Sequence, residues 1–181
     1  MENPYKRKKE PLANKKLILE TAAEIGASMA WSDVTFQAIA QKTGLSKGGI
    51  IHHFPSKEIL LDELFEQSLA ELSVLIEHEK ENNPQLQPAY AYLKIVCGDM
   101  PEGCYLNTMN VILKGTVNNG HFRDRWKEWV QQYLALDFDN ADALSLMALL
   151  VADGMWFSDI LGIYPISSLQ KQKILQLINS L

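Results

Sequence analysis

The residues whose types and spacing best suit the binding of another molecule lie between positions 43 and 54, in the run TGLSKGGIIHHF. Lys47 carries a positive charge that can neutralise a phosphate. Gly48 and Gly49 remove side-chain bulk, so another molecule can approach the backbone closely. Gly44 can adopt the left-handed conformation that ends a helix, and Ser46 can cap the helix that follows. The run therefore predicts two short helices joined by a tight turn, with the second beginning at Lys47.

The residues before this run predict the helices that position it. Apolar side chains recur at the spacing of one helical face at Ile18, Ala22, Ile25 and Met29. After a turn at residues 31–33, Thr35 is placed to cap a helix that reaches residue 41 or 42. The inward face of that helix would carry Phe36, Ile39 and Ala40. The helix that starts after Ser46 then reaches about Phe54, which completes a helix-turn-helix.

Six further helices are predicted in the rest of the chain. Ser56 can cap the first of them, which keeps helical spacing to about Lys80. The others are predicted at about 88–98, 104–117, 121–136, 139–162 and 166–180. Few segments alternate with a period of two, so a sheet is not expected. The predicted fold is all-α, with an N-terminal three-helix helix-turn-helix domain, a C-terminal helical bundle and about nine helices in total.

Charge divides the chain in a similar way. The formal net charge is −5, yet residues 1–57 carry nine Lys or Arg against five Asp or Glu, whereas residues 58–181 carry eight against seventeen. A small basic module on an acidic body is typical of a protein whose total charge hides a nucleic-acid-binding face. We therefore predict an N-terminal domain at 1–57, with a basic arm at 1–12 and the motif at about 35–54, and a C-terminal domain at 58–181.

The composition indicates a cytoplasmic globular protein. The N-terminus lacks the apolar core of a signal peptide, and the two cysteines, Cys97 and Cys104, suit a reduced thiol pair better than a disulfide framework. The most apolar stretch, residues 141–164, is long enough to span a membrane. Three aspartates interrupt it, Asp142, Asp153 and Asp159. We expect a helix buried in a core or an oligomer interface, and no membrane partner.

A helix-turn-helix shape is common in all-α proteins, so spacing alone leaves both DNA binding and a structural role open. The residue types narrow the choice. A T-x-x-x-I-A helix begins at Thr35, a G-(V/L)-S-x-G turn begins at Gly44, a helix closes on Phe54, and an (S/N)-K-x-x-L start lies at Ser56. Over about the first 60 to 75 residues, the chain resembles the TetR family of bacterial transcription repressors.

The resemblance implies a DNA-binding surface, residue by residue. The start of the second helix would lie near phosphates or bases with Thr35, Phe36 and Gln37. The recognition surface would comprise Lys47, Gly48, Gly49, Ile51, His52 and His53. Lys57 would hold a phosphate, together with the first amides of the fourth helix. The family usually has tyrosine where Ile51 stands, so the phosphate contact of that hydroxyl is lost, although Ile51 can touch a thymine methyl.

For two basic features, the histidine pair and the N-terminal lysine-rich run, more than one interpretation stays open. Adjacent histidines point in different directions on a helix, so His52 and His53 make a poor metal pair and no metal site is predicted. One of them would pack against the first helix and the other would meet DNA. The run from Lys6 to Lys9 is either a solvated tail or an arm that reaches phosphates or a minor groove.

The resemblance also implies a homodimer formed by the last two helices of each subunit. Compatible apolar stripes lie at Leu146, Leu150, Gly154 and Phe157, and at Ile174, Leu177, Ile178 and Leu181. A two-fold dimer would present its recognition helices about one DNA turn apart. It would therefore bind a near-palindromic operator in double-stranded DNA.

A ligand pocket would lie among helices four to eight. Its candidate residues are Met109, Trp126, Trp129, Met147 and Trp156, with Tyr105 and Asn110 as polar contacts. Residues of these types at helical spacing are also typical of a core, and Trp126 and Trp129 could simply pack there. A pocket of this composition would take a small, largely apolar effector, whose binding would lower the affinity for the operator.

The predicted function is therefore a dimeric repressor released from its operator by a small molecule. The sequence has no Walker loop, dinucleotide-binding fingerprint, zinc-protease motif or nucleophile elbow, and nothing positions Cys104 and His121 as nucleophile and base. We expect neither an enzyme nor a cofactor. The alternative is a protein of the same fold that acts on DNA as a structural or partner-recruiting factor without an effector. An activator, or a repressor of many promoters, also stays open.

Overall fold

The computed structural model describes residues 11–28, 31–98 and 104–180, apart from the side chains at 104–106, 108 and 179. Within these ranges the chain forms nine α-helices and one short 3-10 helix, and no β-strand. The prediction of an all-α protein with about nine helices is confirmed.

Three α-helices form the N-terminal part of the chain. They are α1 at Pro11–Ser28, α2 at Phe36–Thr43 and α3 at Lys47–His53, with the 3-10 helix at Trp31–Asp33. The Thr35 hydroxyl accepts a hydrogen bond from the Ala38 amide at 3.1 Å, and the Ser46 hydroxyl accepts one from the Gly49 amide at 3.1 Å. Gly44 ends α2 with a φ of 70°. The predicted caps and helix stop are confirmed, because each satisfies backbone groups that a helix end leaves open.

These helices share one apolar core. It contains the residues Ile18, Ala22, Ile25, Val34 and Ile39. Met29, the last residue of the stripe predicted on α1, lies outside the described residues. Phe36 and Ala40, predicted to face inward, are half-buried. Ile50 and Phe54 are fully buried. Burial contributes about 1.5–3 kcal/mol for each large apolar side chain, so these two residues fix which face of α3 points outward.

Six α-helices form the rest of the chain. They are α4 at Lys57–Asn82, α5 at Pro88–Cys97, α6 at Cys104–Asn118, α7 at Gly120–Tyr133, α8 at Ala143–Leu161 and α9 at Ser168–Asn179. Two predicted helix ends are wrong. α8 begins later than predicted, because the Asp142 carboxylate caps it by accepting a hydrogen bond from the Ser145 amide at 2.9 Å. α7 ends earlier, and Ala135 just beyond it has a φ of 50°, which is not helical.

The chain divides into two compact units, Met1–Leu64 and Phe65–Leu181. The division falls within α4, whereas the sequence places a domain boundary between residues 57 and 58. The domain limits given above therefore stay a prediction.

α8 is a central helix of the second unit. It packs along α5 and also contacts α6. Its inner face buries Ala148, Leu149, Ala152, Met155 and Trp156. By length and hydropathy alone α8 could cross a membrane, but a helix with one buried face against its neighbours has the packing of a core helix.

A glycine of α6 allows the close packing that orients α7. Phe65 of α4 stacks on Phe122 of α7, with ring centroids 4.6 Å apart. A Cβ atom at Gly115 would come within 3.0 Å of the Phe65 ring. Because glycine lacks that atom, α6 can lie against this aromatic pair and hold α7, which carries two of the candidate tryptophans.

Candidate nucleic-acid interface and ligand site

The outer face of α3 presents four of the six residues predicted to read DNA. The exposed ones share one helical face and are Lys47, Gly48, Ile51 and His52. Gly49 and His53 are half-buried beside them. A Cβ atom at Gly48 would meet nothing within 4 Å, so the space there is open. This face has the form of a helix that can lie in a major groove with its first turn towards the bases.

Lys47 has no carboxylate partner among the residues that the structure describes. Other lysines of the first unit are compensated: Lys15 pairs with Glu63, and Lys42 pairs with Glu24 at 3.6 Å. An uncompensated lysine on an exposed surface is suited to binding a phosphate, because it displaces the counterions that the phosphate holds.

The start of α2 exposes the two polar residues predicted there. Thr35 and Gln37 are exposed, and Phe36 is half-buried. The Thr35 oxygen already accepts the capping bond from the Ala38 amide. Its hydroxyl proton stays available to donate to a phosphate oxygen.

Lys57, at the start of α4, is already engaged within its own unit. Its Nζ donates a hydrogen bond to the carbonyl oxygen of Ser32 at 2.9 Å. Hydrogen bonds from the backbone amide of Glu58 and from the Ser56 hydroxyl lower the pKa of Glu58. An ammonium group has three donors, so Lys57 retains donors for a phosphate. The backbone amide of Glu58, however, is already engaged by the carboxylate of the same residue.

His52 and His53 border the first helix. Their rings meet edge to face with centroids 5.7 Å apart. Both line a cavity of about 180 Å³ together with Pro11 and Asn14 of α1. In the described ranges, no group of three His, Cys, Asp or Glu side chains is arranged to hold a metal ion. Of the two histidines, His53 is the more buried and so the better candidate for packing.

In the second unit, the three candidate tryptophans lie together. Trp126 stacks on Trp129 with centroids 5.0 Å apart and an angle of 11° between the rings. Trp156 lies 6.0 Å from Trp126 at an angle of 50°. Tyr92 of α5 lies 6.4 Å from Trp126 and 6.5 Å from Trp129. We call these four side chains, Tyr92, Trp126, Trp129 and Trp156, the aromatic cluster.

A carboxylate adjoins the aromatic cluster. The Tyr92 hydroxyl donates a hydrogen bond to Asp153 Oδ1 at 2.8 Å. Burial raises the pKa of Asp153 to about 6, although the hydrogen bond from Tyr92 acts in the opposite direction. Trp156, three residues further along α8, is 5% exposed, and its Nε1 finds no acceptor among the described residues. The site thus combines aromatic rings, a carboxylate and an unused hydrogen-bond donor.

Sequence reasoning missed Tyr92 and Asp153 as site residues. It used Asp153 only as an argument against a membrane span. A carboxylate within an otherwise apolar helix is the signal that could have identified it. Burial of such a group costs desolvation free energy, so a buried carboxylate is a candidate for binding.

Three other predicted ligand contacts, on α6 and α8, lie outside the aromatic cluster. Met109 is fully buried on α6, and Met147 is half-buried on α8. Asn110 is half-buried. The side chain of Tyr105 lies outside the description. A role for these residues stays a prediction.

The outer face of α8 carries an exposed apolar stripe. Leu150 is 69% exposed, Phe157 41% and Leu161 54%. Between them, a Cβ atom at Gly154 would meet nothing within 4 Å. Leu146, which begins the predicted stripe, is half-buried. Large apolar side chains exposed along one helix face mark an interaction surface.

The stripe predicted on α9 is corrected by the structure. Leu177 is 61% exposed, but Ile178 is buried within its own chain because α9 packs on α5. Ile174 is half-buried, and Leu181 lies outside the described residues. The contribution of α9 to an outer apolar surface therefore rests on Leu177 rather than on the whole predicted stripe.

Two family models match the sequence. The model for bacterial regulatory proteins of the tetR family matches residues 18–64. The model for the C-terminal domain of tetracycline-repressor-like proteins matches residues 87–181, which is more than half of the chain. No curated protein matches the sequence significantly.

Solved structures share the fold at low sequence identity. A protein from Pseudomonas aeruginosa PAO1, described as a transcriptional regulator, is 17% identical with a TM-score of 0.67, over 96% of this chain and 91% of its own. A regulator from Saccharomonospora viridis, in complex with choline, is 19% identical with a TM-score of 0.66, over 91% and 94%. The multidrug binding protein EbrR, in complex with ethidium, is 15% identical with a TM-score of 0.61, over 91% and 96%. With both halves matched by family models and the whole fold shared, the chain belongs to the tetR family of bacterial regulatory proteins.

Proposed function

We propose that this protein is a homodimeric repressor that a small molecule releases from a near-palindromic DNA operator. The observation that carries the proposal is the outer face of α3, where Lys47 has no carboxylate partner among the described residues and Gly48 leaves open space. Ile50 and Phe54 are fully buried on the opposite side, so the face is held in one orientation. A rigid helix with a cation in its first turn suits direct contact with phosphates and base edges.

Dimerisation is supported by the apolar stripe on α8. A monomer would leave Leu150, Phe157 and Leu161 in water, and a second copy could cover them at about 25 cal/mol for each Å² of apolar surface buried. The absence of a Cβ atom at Gly154 would let the two copies of α8 approach closely. A two-fold interface places two copies of α3 on one duplex, which requires an operator with two-fold symmetry.

Regulation by a small-molecule effector is supported by the aromatic cluster and by the ligands bound to solved proteins that share the fold. The solved regulator from Saccharomonospora viridis holds choline, and EbrR holds ethidium. A ligand that binds one arrangement of the dimer better than the other shifts the population towards it. If the distance between the two copies of α3 in the favoured arrangement no longer matches one turn of DNA, the affinity for the operator falls and the operator is released.

Selection from a random-sequence duplex library tests the proposal with the full-length protein. We expect enrichment of two inverted half-sites with centres about 10 bp apart, or a multiple of that spacing. Enrichment of a single asymmetric half-site would contradict the dimer. No enrichment of any sequence, at a salt concentration where the protein still binds DNA, would contradict specific operator recognition.

A further inference from the structure

We propose that the ligand of the second unit is an organic cation, whose positive charge lies between Asp153 and the rings of the aromatic cluster. The chemical class is a quaternary ammonium or a flat aromatic cation. This inference rests on the proposed function in one respect only, that the second unit binds a ligand. It is tested without DNA.

Asp153 is a largely buried carboxylate without an ion-pair partner among the described residues. Its partner in the structure is the neutral hydroxyl of Tyr92, and no basic side chain in the described part of the chain pairs with it. Asp159, on the same helix, shows the usual arrangement, because it pairs with Lys171 of α9. Burying a charge is costly unless an opposite charge accompanies it. The missing opposite charge is what a cationic ligand would bring.

Tyr92, which holds Asp153 by its hydrogen bond, belongs to a group of inclined rings that could receive such a charge. The Tyr92 ring is inclined to that of Trp129 at 69°, and the Trp156 ring to that of Trp126 at 50°. Inclined aromatic rings form the walls of the cages that bind quaternary ammonium groups, because each ring face carries negative charge density. Trp126 is half-buried rather than buried, so one wall of the cluster reaches the surface.

The indole nitrogens of Trp129 and Trp156 differ in their hydrogen bonding. Trp129 Nε1 donates a hydrogen bond to the Ser73 hydroxyl at 2.8 Å, so the orientation of this ring is fixed and its donor has a partner. Trp156 Nε1 is buried without an acceptor in the described ranges. An oxygen atom on the ligand would satisfy that donor. The ligand is therefore expected to carry a positive charge on an otherwise apolar body, with an acceptor atom nearby, rather than to be apolar throughout.

Isothermal titration calorimetry on the full-length protein tests this with choline and with the neutral alcohol in which carbon replaces the nitrogen of choline. The two have the same shape, so their difference measures the charge. We expect choline to bind about tenfold more tightly or better. Ethidium serves as the flat aromatic cation and is expected to bind as well.

Asp153→Asn removes the charge but keeps an oxygen that can accept the Tyr92 hydrogen bond. We expect this variant to lose about tenfold in affinity for choline or ethidium and none for the neutral alcohol. Asp124→Asn, which removes an exposed carboxylate of α7, is the matched control and should bind as the wild type does. Circular dichroism melting shows whether each variant is folded.

Equal binding of choline and the neutral alcohol would overturn the proposal, as would full cation affinity in Asp153→Asn. Failure of both choline and ethidium to bind the wild type at millimolar concentration would also overturn it. Operator binding is measured in parallel on the same samples. If the wild type binds the operator but neither cation, this inference alone is refuted. If it binds the cations but no operator, the proposed function alone is refuted.

Discussion

Asp153 carries an electrostatic cost that its neighbours do not offset. Burial raises the pKa of Asp153 from 3.8 to about 6. At about 1.4 kcal/mol per pKa unit, its ionised form costs the folded protein roughly 3 kcal/mol at neutral pH. The folded state binds the proton more tightly than the unfolded state, so stability falls as pH rises from 3.8 to about 6. A ligand that binds only the folded state and supplies the opposite charge would offset this free-energy cost.

We therefore expect Asp153→Asn to stabilise the protein at pH 7, by up to about 3 kcal/mol, and to have little effect near pH 4. Denaturant unfolding at both pH values measures this. In the wild type, affinity for choline should also fall as pH falls through about 6, because the protonated carboxyl is neutral. A variant less stable than the wild type at pH 7 would contradict an uncompensated charge on Asp153.

Residues that act locally were predictable from the sequence, and residues that act through packing were not. Thr35, Ser46 and Gly44 follow rules that depend on the next three or four residues, and the structure confirms all three. The contact between Tyr92 and Asp153 joins residues 61 positions apart. It depends on how α5 lies along α8, which periodicity does not reveal.

Among the elements, the same distinction explains the error at α8. The loop before it offers several carboxylates and amides that could cap a helix, and the sequence placed the start near residue 139. Asp137 instead accepts hydrogen bonds from the Asp139 amide and from Asn140, which forms a turn. Asp142 is left to cap α8. The type of the element was predictable, whereas its first residue depended on which cap was used.

Two glycines of the helix-turn-helix have different purposes, and alanine substitution separates them. Gly48 lies inside α3 in open space, so Gly48→Ala should stabilise the helix by about 0.5–1 kcal/mol. It should nevertheless weaken operator binding, because a methyl group would stand between the α3 backbone and DNA. Gly44 has a φ of 70°, so Gly44→Ala should destabilise by about 1 kcal/mol.

Thermal unfolding and operator affinity are measured on both glycine variants. Gly44→Ala is the control for a change in stability, since the residue has no predicted contact with DNA. If Gly48→Ala retained the affinity of the wild type, the close approach of DNA to α3 would be refuted.

For the whole molecule, a homodimer is expected to form through the α8 stripe. Leu150→Asp places a charge at a side chain that is 69% exposed in the single chain. We expect sedimentation velocity to show a dimer for the wild type and mainly monomer for this variant, because an unpaired charge cannot be buried cheaply in an interface. Val74→Asp, at a residue of α4 that is 68% exposed, is the matched control and should leave the dimer intact.

A monomeric wild type would contradict the homodimer, whereas a Leu150→Asp variant that stays dimeric would place the interface elsewhere. The sequence predicted the α8 part of this surface because apolar residues repeat along one face. It placed too much of α9 there, since Ile178 is buried within its own chain and periodicity cannot tell an inner face from an outer one.

The most direct test of DNA recognition by α3 is fluorescence anisotropy of the selected operator, titrated with protein across a series of salt concentrations. Lys47→Ala should lower the affinity and reduce the slope of log affinity against log salt by about two, since each subunit of a dimer would lose one phosphate contact. Lys127→Ala, which removes an exposed lysine of α7, should change neither. If Lys47→Ala bound the operator with the affinity and salt slope of the wild type, α3 would not be the DNA-reading helix.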